Sequence, residues 1–234
     1  MNGTDVATRL TAALGLETPP VALAFADAAP AGVPTIADEV PSACTFWRQA
    51  EGKTFFAPAA KHFNCPIGAM TMGFALPDNV QQELMSAVTL MCEVGYLSPQ
   101  EPESIPTTSK QAGGMVYGPL AGFPLTPDVV LLWLTPRQAM LYNEAAGSAQ
   151  WTAAPLRMRG RPACTAIPLA MADGHSTLSL GCMGMRTFTE IADDRLLAVL
   201  PGENAAAFVE ALEGITRANA TMHGYYEQKK AAFA

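Results

Sequence analysis

The chain has 234 residues, half of them hydrophobic, with only 15% charged and a formal net charge of −7. That length and apolar content suffice for one larger domain or two fused half-domains. The acidic balance, with no Lys/Arg stripe, argues against nucleic acid as a partner. The opening "MNGTDVATRL" lacks the basic and apolar regions of a signal peptide. The longest strongly apolar run, "VVLLWL" at 129–134, is far too short to span a bilayer. A cytoplasmic protein without membrane insertion is expected.

In chain order, Thr4 is the expected cap of a first helix, with Val6, Leu10 and Leu14 on one face and a stop near Gly15. "PPVALAF" at 19–25 reads as a buried strand, Cys44 opens a short helix, and "KTFFAPAA" at 53–60 reads as a strand. A further helix or turn starts at "NCPIGAM", with Pro66 in its first turn, and residues 77–97 form a longer helix. The polar stretch 98–114, punctuated by prolines, is the natural linker between an N-terminal half at 1–97 and a C-terminal half at 115–218. In the second half, "MVYGPL" and "PDVVLLWL" read as strands. Thr135 with Pro136 starts a helix, Cys164 opens another, "STLSLG" is a strand ending at Cys182, and "DDRLLAVLPGE" contains one more. An amphipathic helix with Phe208, Leu212 and Ile215 on one face closes the half, and 219–234 is a peripheral tail. The expected fold is α+β (mixed α/β), a compact unit of two related halves with a cysteine-lined site between them.

The reason for expecting related halves is a repeated pattern. "PSACT" and "RPACT" each place a cysteine at a helix start, and a second cysteine follows 21 positions later in one half and 18 in the other. An odd total of five cysteines in a reducing compartment argues for ligands, buried thiols or reactive groups rather than a disulfide framework. Helix N-termini favour anions, so Cys44, Cys65, Cys164 and Cys182 are expected to have lowered thiol pKa values. Four thiolates suit a [4Fe–4S] cluster or tetrahedral zinc, although neither pair has the close C-x2-C spacing typical of such sites. Any one of these cysteines taken alone reads more simply as core packing, and Cys92, with Leu84, Val88 and Tyr96 at helical spacings, reads as core.

His62, with Met70 and Met72 nearby, is a candidate ligand for haem or a second metal, against the simpler reading of a partly exposed loop histidine. His175 and His223 read as surface residues. In "GCMGMR", Gly181 and Gly184 let the backbone approach a ligand or a helix, and Arg186 either pairs with an anionic ligand or with a nearby carboxylate. Ser/His/Asp order, phosphate loop and zinc-protease helix are all missing from the sequence.

The succession "LGLETPPVALAF", "ACTFWRQA", "FNCPIGAMTMGF", "PDVVLLWLTPRQAM", "ACTAIPLAM" and "LSLGCMGMRTF" resembles the uncharacterised prokaryotic family called domain of unknown function 169, over roughly residues 10 to 212. The resemblance implies that Cys44, Cys65, Cys164 and Cys182 match family cysteines, and that Gly181 through Arg186 match a Gly-Cys-x-Gly-x-Arg step. Where the family usually has Pro-Gly-Gly after the second cysteine, this chain has Pro66-Ile67-Gly68. No activity is implied by the family. The leading expectation is therefore a redox or cofactor-binding protein that holds an iron–sulfur cluster through the four cysteines and serves a redox partner protein or small molecule. The alternatives are a haem-binding protein using His62 and a thiol-dependent enzyme, and a homo-oligomer stays open.

Overall fold

A computed structural model describes residues 2–147, 149–150 and 157–233. In chain order the elements are α1 (Gly3–Leu14), β1 (Val21–Ala26), α2 (Thr45–Gln49), β2 (Phe55–Pro58), α3 (Pro66–Thr71), α4 (Asp78–Glu93), β3 (Gly114–Pro119), β4 (Val129–Leu134), α5 (Pro136–Ala145), β5 (Arg157–Arg159), α6 (Ala166–Asp173), β6 (Thr177–Ser179), α7 (Met183–Thr189), β7 (Leu196–Pro201) and α8 (Ala205–Ala231). Among the described residues the strands form one seven-stranded mixed sheet in the order β2-β3-β1-β4-β7-β6-β5. Only β5 and β6 run parallel; the other neighbours are antiparallel. This is an α+β fold.

Helices cover both faces of the sheet, and the strand sequences reflect that. "VALAFA" and "VVLLWL" are unbroken apolar runs because alternate side chains enter different cores. Val129, Leu131 and Trp133 of β4 pack with α2, α3 and α6. Val130, Leu132 and Leu134 pack with α1, α5 and α8. Local signals end the helices where they should. Thr135 and Gln138 form a reciprocal capping box with Pro136 in the first turn of α5. Gly15 takes the left-handed conformation that stops α1. At the other end of α1 the cap is Asn2, whose side chain accepts from the Asp5 amide at 2.9 Å, and not Thr4, which lies inside the helix.

Two expectations change. The strand "MVYGPL", assigned from the sequence to a C-terminal half, is β3, and it pairs with β1 over six residues and with β2 on its other edge. The segment 98–114 is thus the return from α4 to a strand of the N-terminal set, not a boundary between halves. The chain instead crosses between sets in the loop from β3 to β4. With the edge strand β5 set aside, the other six strands read β2-β3-β1 from one side and β6-β7-β4 from the other, with β1 and β4 antiparallel at the centre. Two halves related by a two-fold axis through the β1–β4 pair would give this order. The second change is at the end of the chain, where the expected tail continues α8 as a helix to Ala231, exposed along its last turns. No helix among the described residues is long and apolar enough to cross a membrane.

Candidate functional site: a cavity faced by four thiols

Each of the four repeated cysteines stands where a helix begins. Cys44 immediately precedes α2, Cys65 precedes α3, and Cys182 precedes α7, its sulfur accepting from the Met185 amide at 3.4 Å. Cys164 sits in the short 3-10 turn that leads into α6. These helices all lie on the same face of the sheet. As a result the four cysteines line one cavity of about 360 Å³, together with Tyr117 on the sheet floor and Trp47 of α2. The opposite wall is α4, through Leu84, Val88 and Met91.

Two of the thiols, Cys44 and Cys164, are held protonated by their surroundings rather than activated. Burial is the main cause that pushes Cys44 up to about 12. A hydrogen bond with Ser42, sulfur to oxygen 3.1 Å, opposes this, and the Cys65 and Cys182 thiols add to the rise. Burial also raises Cys164, again reinforced by the three other thiols and opposed by a hydrogen bond with Thr71. Cys164 keeps some exposed surface, yet its sulfur is packed in dense protein. The helix-start expectation of lowered pKa values therefore fails at both sites. The helices that follow Cys44 and Cys164 span only five and eight residues, and loss of water outweighs their dipoles. Among the described residues no group of three or more His, Cys, Asp or Glu is tight enough to hold a metal ion. The thiols surround a space rather than converge on a point.

The other sequence candidates separate. Gly184 lines the cavity. Gly181 has φ +86°, and a Cβ there would fall 2.5 Å from Met185 Cε, so it lets the chain turn into α7 against a cavity-wall residue. Arg186 does not line the cavity. Its guanidinium donates to the carbonyls of Leu180 at 2.8 Å, Arg195 at 3.0 Å and Ala192 at 3.4 Å, with Asp193 4.0 Å away. It ties α7 to the approach of β7 and so holds Cys182 in place.

His62 was expected as an exposed loop residue or a ligand, and it is neither partly exposed nor in the cavity wall. It is fully buried. Its Nδ1 lies 3.0 Å from the Pro58 carbonyl, which only accepts, so Nδ1 carries the proton. Nε2 then accepts from the Tyr117 hydroxyl at 2.8 Å. Burial, against hydrogen bonds to Pro58 and Ala59, lowers its pKa to about 4. With both nitrogens engaged, His62 orients Tyr117 under the cavity. Cys92, read as core, is only partly buried on α4. That helix buries Val80 alone, because its apolar face meets the cavity rather than packed side chains.

The positions above can now be set against known sequences. The sequence model of the family described as "Uncharacterised ArCR", domain of unknown function 169, matches residues 9–211. The chain belongs to this family. No curated protein and no solved structure matches it. All four cavity cysteines and Gly184 fall within the matched region, as does Ile67, which lines the cavity beside Cys65 and Pro66. The outer part of α8 lies beyond it.

What the sequence did not single out is equally informative. Tyr117 faces the cysteines from β3, which carries no cysteine motif, and no spacing rule finds it. Ser42, inside "PSACT", and Thr71, at the end of α3, were in view, but not their contacts with Cys44 and Cys164. Arg161 stands three residues before Cys164, on the cavity rim. Its position in "RPACT" was visible in the sequence, but not its role.

Proposed function

We propose that Cys44, Cys65, Cys164 and Cys182 hold an iron–sulfur cluster, and that the protein is a cytoplasmic redox or cofactor-binding protein. The observation that carries this reading is that four thiols, paired at a distance in the sequence, line one largely apolar cavity from four helix starts. Four cysteine thiolates are the donor set of a [4Fe–4S] cluster. Tetrahedral zinc would need sulfurs about 4 Å apart, given Zn–S bonds of about 2.3 Å, and no such tight group is present among the described residues. The apolar surround is of the kind that tunes cluster potential. When bound, such a group supplies one-electron transfer, with a partner protein or a small molecule at the other end.

The chain's own residues define what loading requires. Cys44 and Cys164 hold their protons at neutral pH, so binding must displace them, and affinity rises with pH. The same protonation makes either thiol a poor nucleophile, which disfavours a thiol-dependent enzyme. A haem bound through His62 would require breaking one of that residue's two buried hydrogen bonds.

Anaerobic purification tests the proposal. The expected product is brown, with iron and acid-labile sulfide on the order of four each per chain. Cys65→Ala or Cys182→Ala removes most of the iron, whereas Cys92→Ala leaves it unchanged. Colourless, iron-free protein from anaerobic cells and buffers, also after attempted reconstitution with iron and sulfide, overturns the proposal.

A further inference from the structure

The cavity has a second wall that the thiols do not use. Leu84, Val88 and Met91 of α4, with Leu97 beyond its end, face the thiol-bearing turns across open space. Small-molecule sites are enclosures of about 300–1,000 Å³ that are apolar with a few placed polar groups, and this one falls in that range. Among the described lining residues a single side chain is charged, Arg161. It is set at the rim by two contacts. Its guanidinium lies over the Tyr96 ring at 4.7 Å, and its Nη2 reaches the Glu101 carboxylate at 3.2 and 3.4 Å. The contacts with Glu101 run through Nη2 alone, so Nε and Nη1 have no protein partner among the described residues. A planar cation stacked on a ring and left with unused donors is suited to a carboxylate.

We propose that the space between α4 and the thiol wall binds a small amphipathic anion, a carboxylate with an apolar tail or ring. Its body lies against Leu84, Val88 and Met91, and its head pairs with Arg161. The site rests on the cavity and the rim cation, not on what the thiols hold. A ligand bound there would lie beside the thiols, which suits a substrate of a redox centre.

Octanoate, octanol and octylamine are suitable probes, titrated calorimetrically into the full chain. Octanoate is expected to bind at least tenfold more tightly than either of the others. Arg161→Gln, at an exposed position, removes that preference and leaves octanol binding unchanged. Val88→Trp fills the space and abolishes binding of all three, with circular dichroism confirming the fold. Failure of octanoate to bind, equal affinity for octanoate and octanol, or an octanoate preference that survives Arg161→Gln each overturns the inference. Iron is assayed separately in the same preparations. Iron-free protein that binds octanoate overturns only the cluster, and iron-loaded protein that ignores octanoate overturns only the anion site.

Discussion

Acidification from pH 7 to pH 4 is expected to remove about 3 kcal/mol of folding stability through His62 alone. In the unfolded chain a histidine titrates near 6.5, but in the fold His62 stays neutral down to about 4, because it is buried with Nδ1 donating to Pro58 and Nε2 accepting from Tyr117. Between those values the unfolded chain binds a proton that the native state refuses. The stabilisation is complete above about pH 6.5, declines as pH falls by about 1.4 kcal/mol per unit, and is lost by about pH 4. Urea denaturation across this range checks it. Carboxylates titrate at the lower end, so the comparison is with His62→Gln, whose stability should fall less steeply between pH 6.5 and 4.5. Parallel curves for the two proteins would show that His62 is not held neutral.

Gly202→Ala should be among the most damaging single-methyl additions available to this chain. A Cβ there would lie 1.8 Å from the Pro127 carbonyl oxygen and 2.7 Å from its carbon, both backbone atoms. The neighbourhood cannot easily give way. The Gly202 amide donates to the Asp128 carbonyl at 2.9 Å, the Asp128 amide donates to Leu23 at 2.8 Å, and the Asp128 carboxylate accepts from the Phe25 amide at 2.8 Å. One junction therefore ties the body of β1 to the start of β4 and the end of β7. A backbone shift there disturbs three strands, so a loss of roughly 3 kcal/mol or more is expected, the range of severe core overpacking. Gly214→Ala is the control. Its Cβ meets nothing within 4 Å on the exposed side of α8, so it should raise stability by up to about 1 kcal/mol. Chemical denaturation of both variants, with soluble yield for the first, reads the contrast.

How much of this was legible in the residues depends on the length scale of the cause. The two-faced burial of β1 and β4 is written in runs without polar interruption, and the start of α5 in Thr135-Pro136 with Gln138. These depend on side chains a few positions apart. The partner of a strand does not. β3 looks locally like the opening of a new half, and only its six-residue pairing with β1 assigns it to the first set. The same holds at the site. A repeated Ala-Cys-Thr step marked four helix-start thiols, but local reasoning overrated the helix dipole, because the desolvation that raises Cys44 and Cys164 comes from elements far along the chain. Arg186 was open to two readings, ligand or carboxylate pairing, and carbonyls of the approach to β7 took most of its donors. His62 and Tyr117, 55 positions apart, meet only once β3 is in register.

The structure of α4 has a consequence for how the thiol wall is reached. The helix is pinned at its start by Val80 and just past its end by Leu97, while the stretch between them spans a hollow. Met85, Leu90 and Val94 already point into water. Swinging the helix outward is thus expected to cost what its two anchors, its packing against α3 and the Arg161 contacts near its far end supply. Local opening at α4 is therefore expected to cost less than unfolding the sheet beneath it, and whatever fills the hollow should add its own binding energy to holding the helix in place.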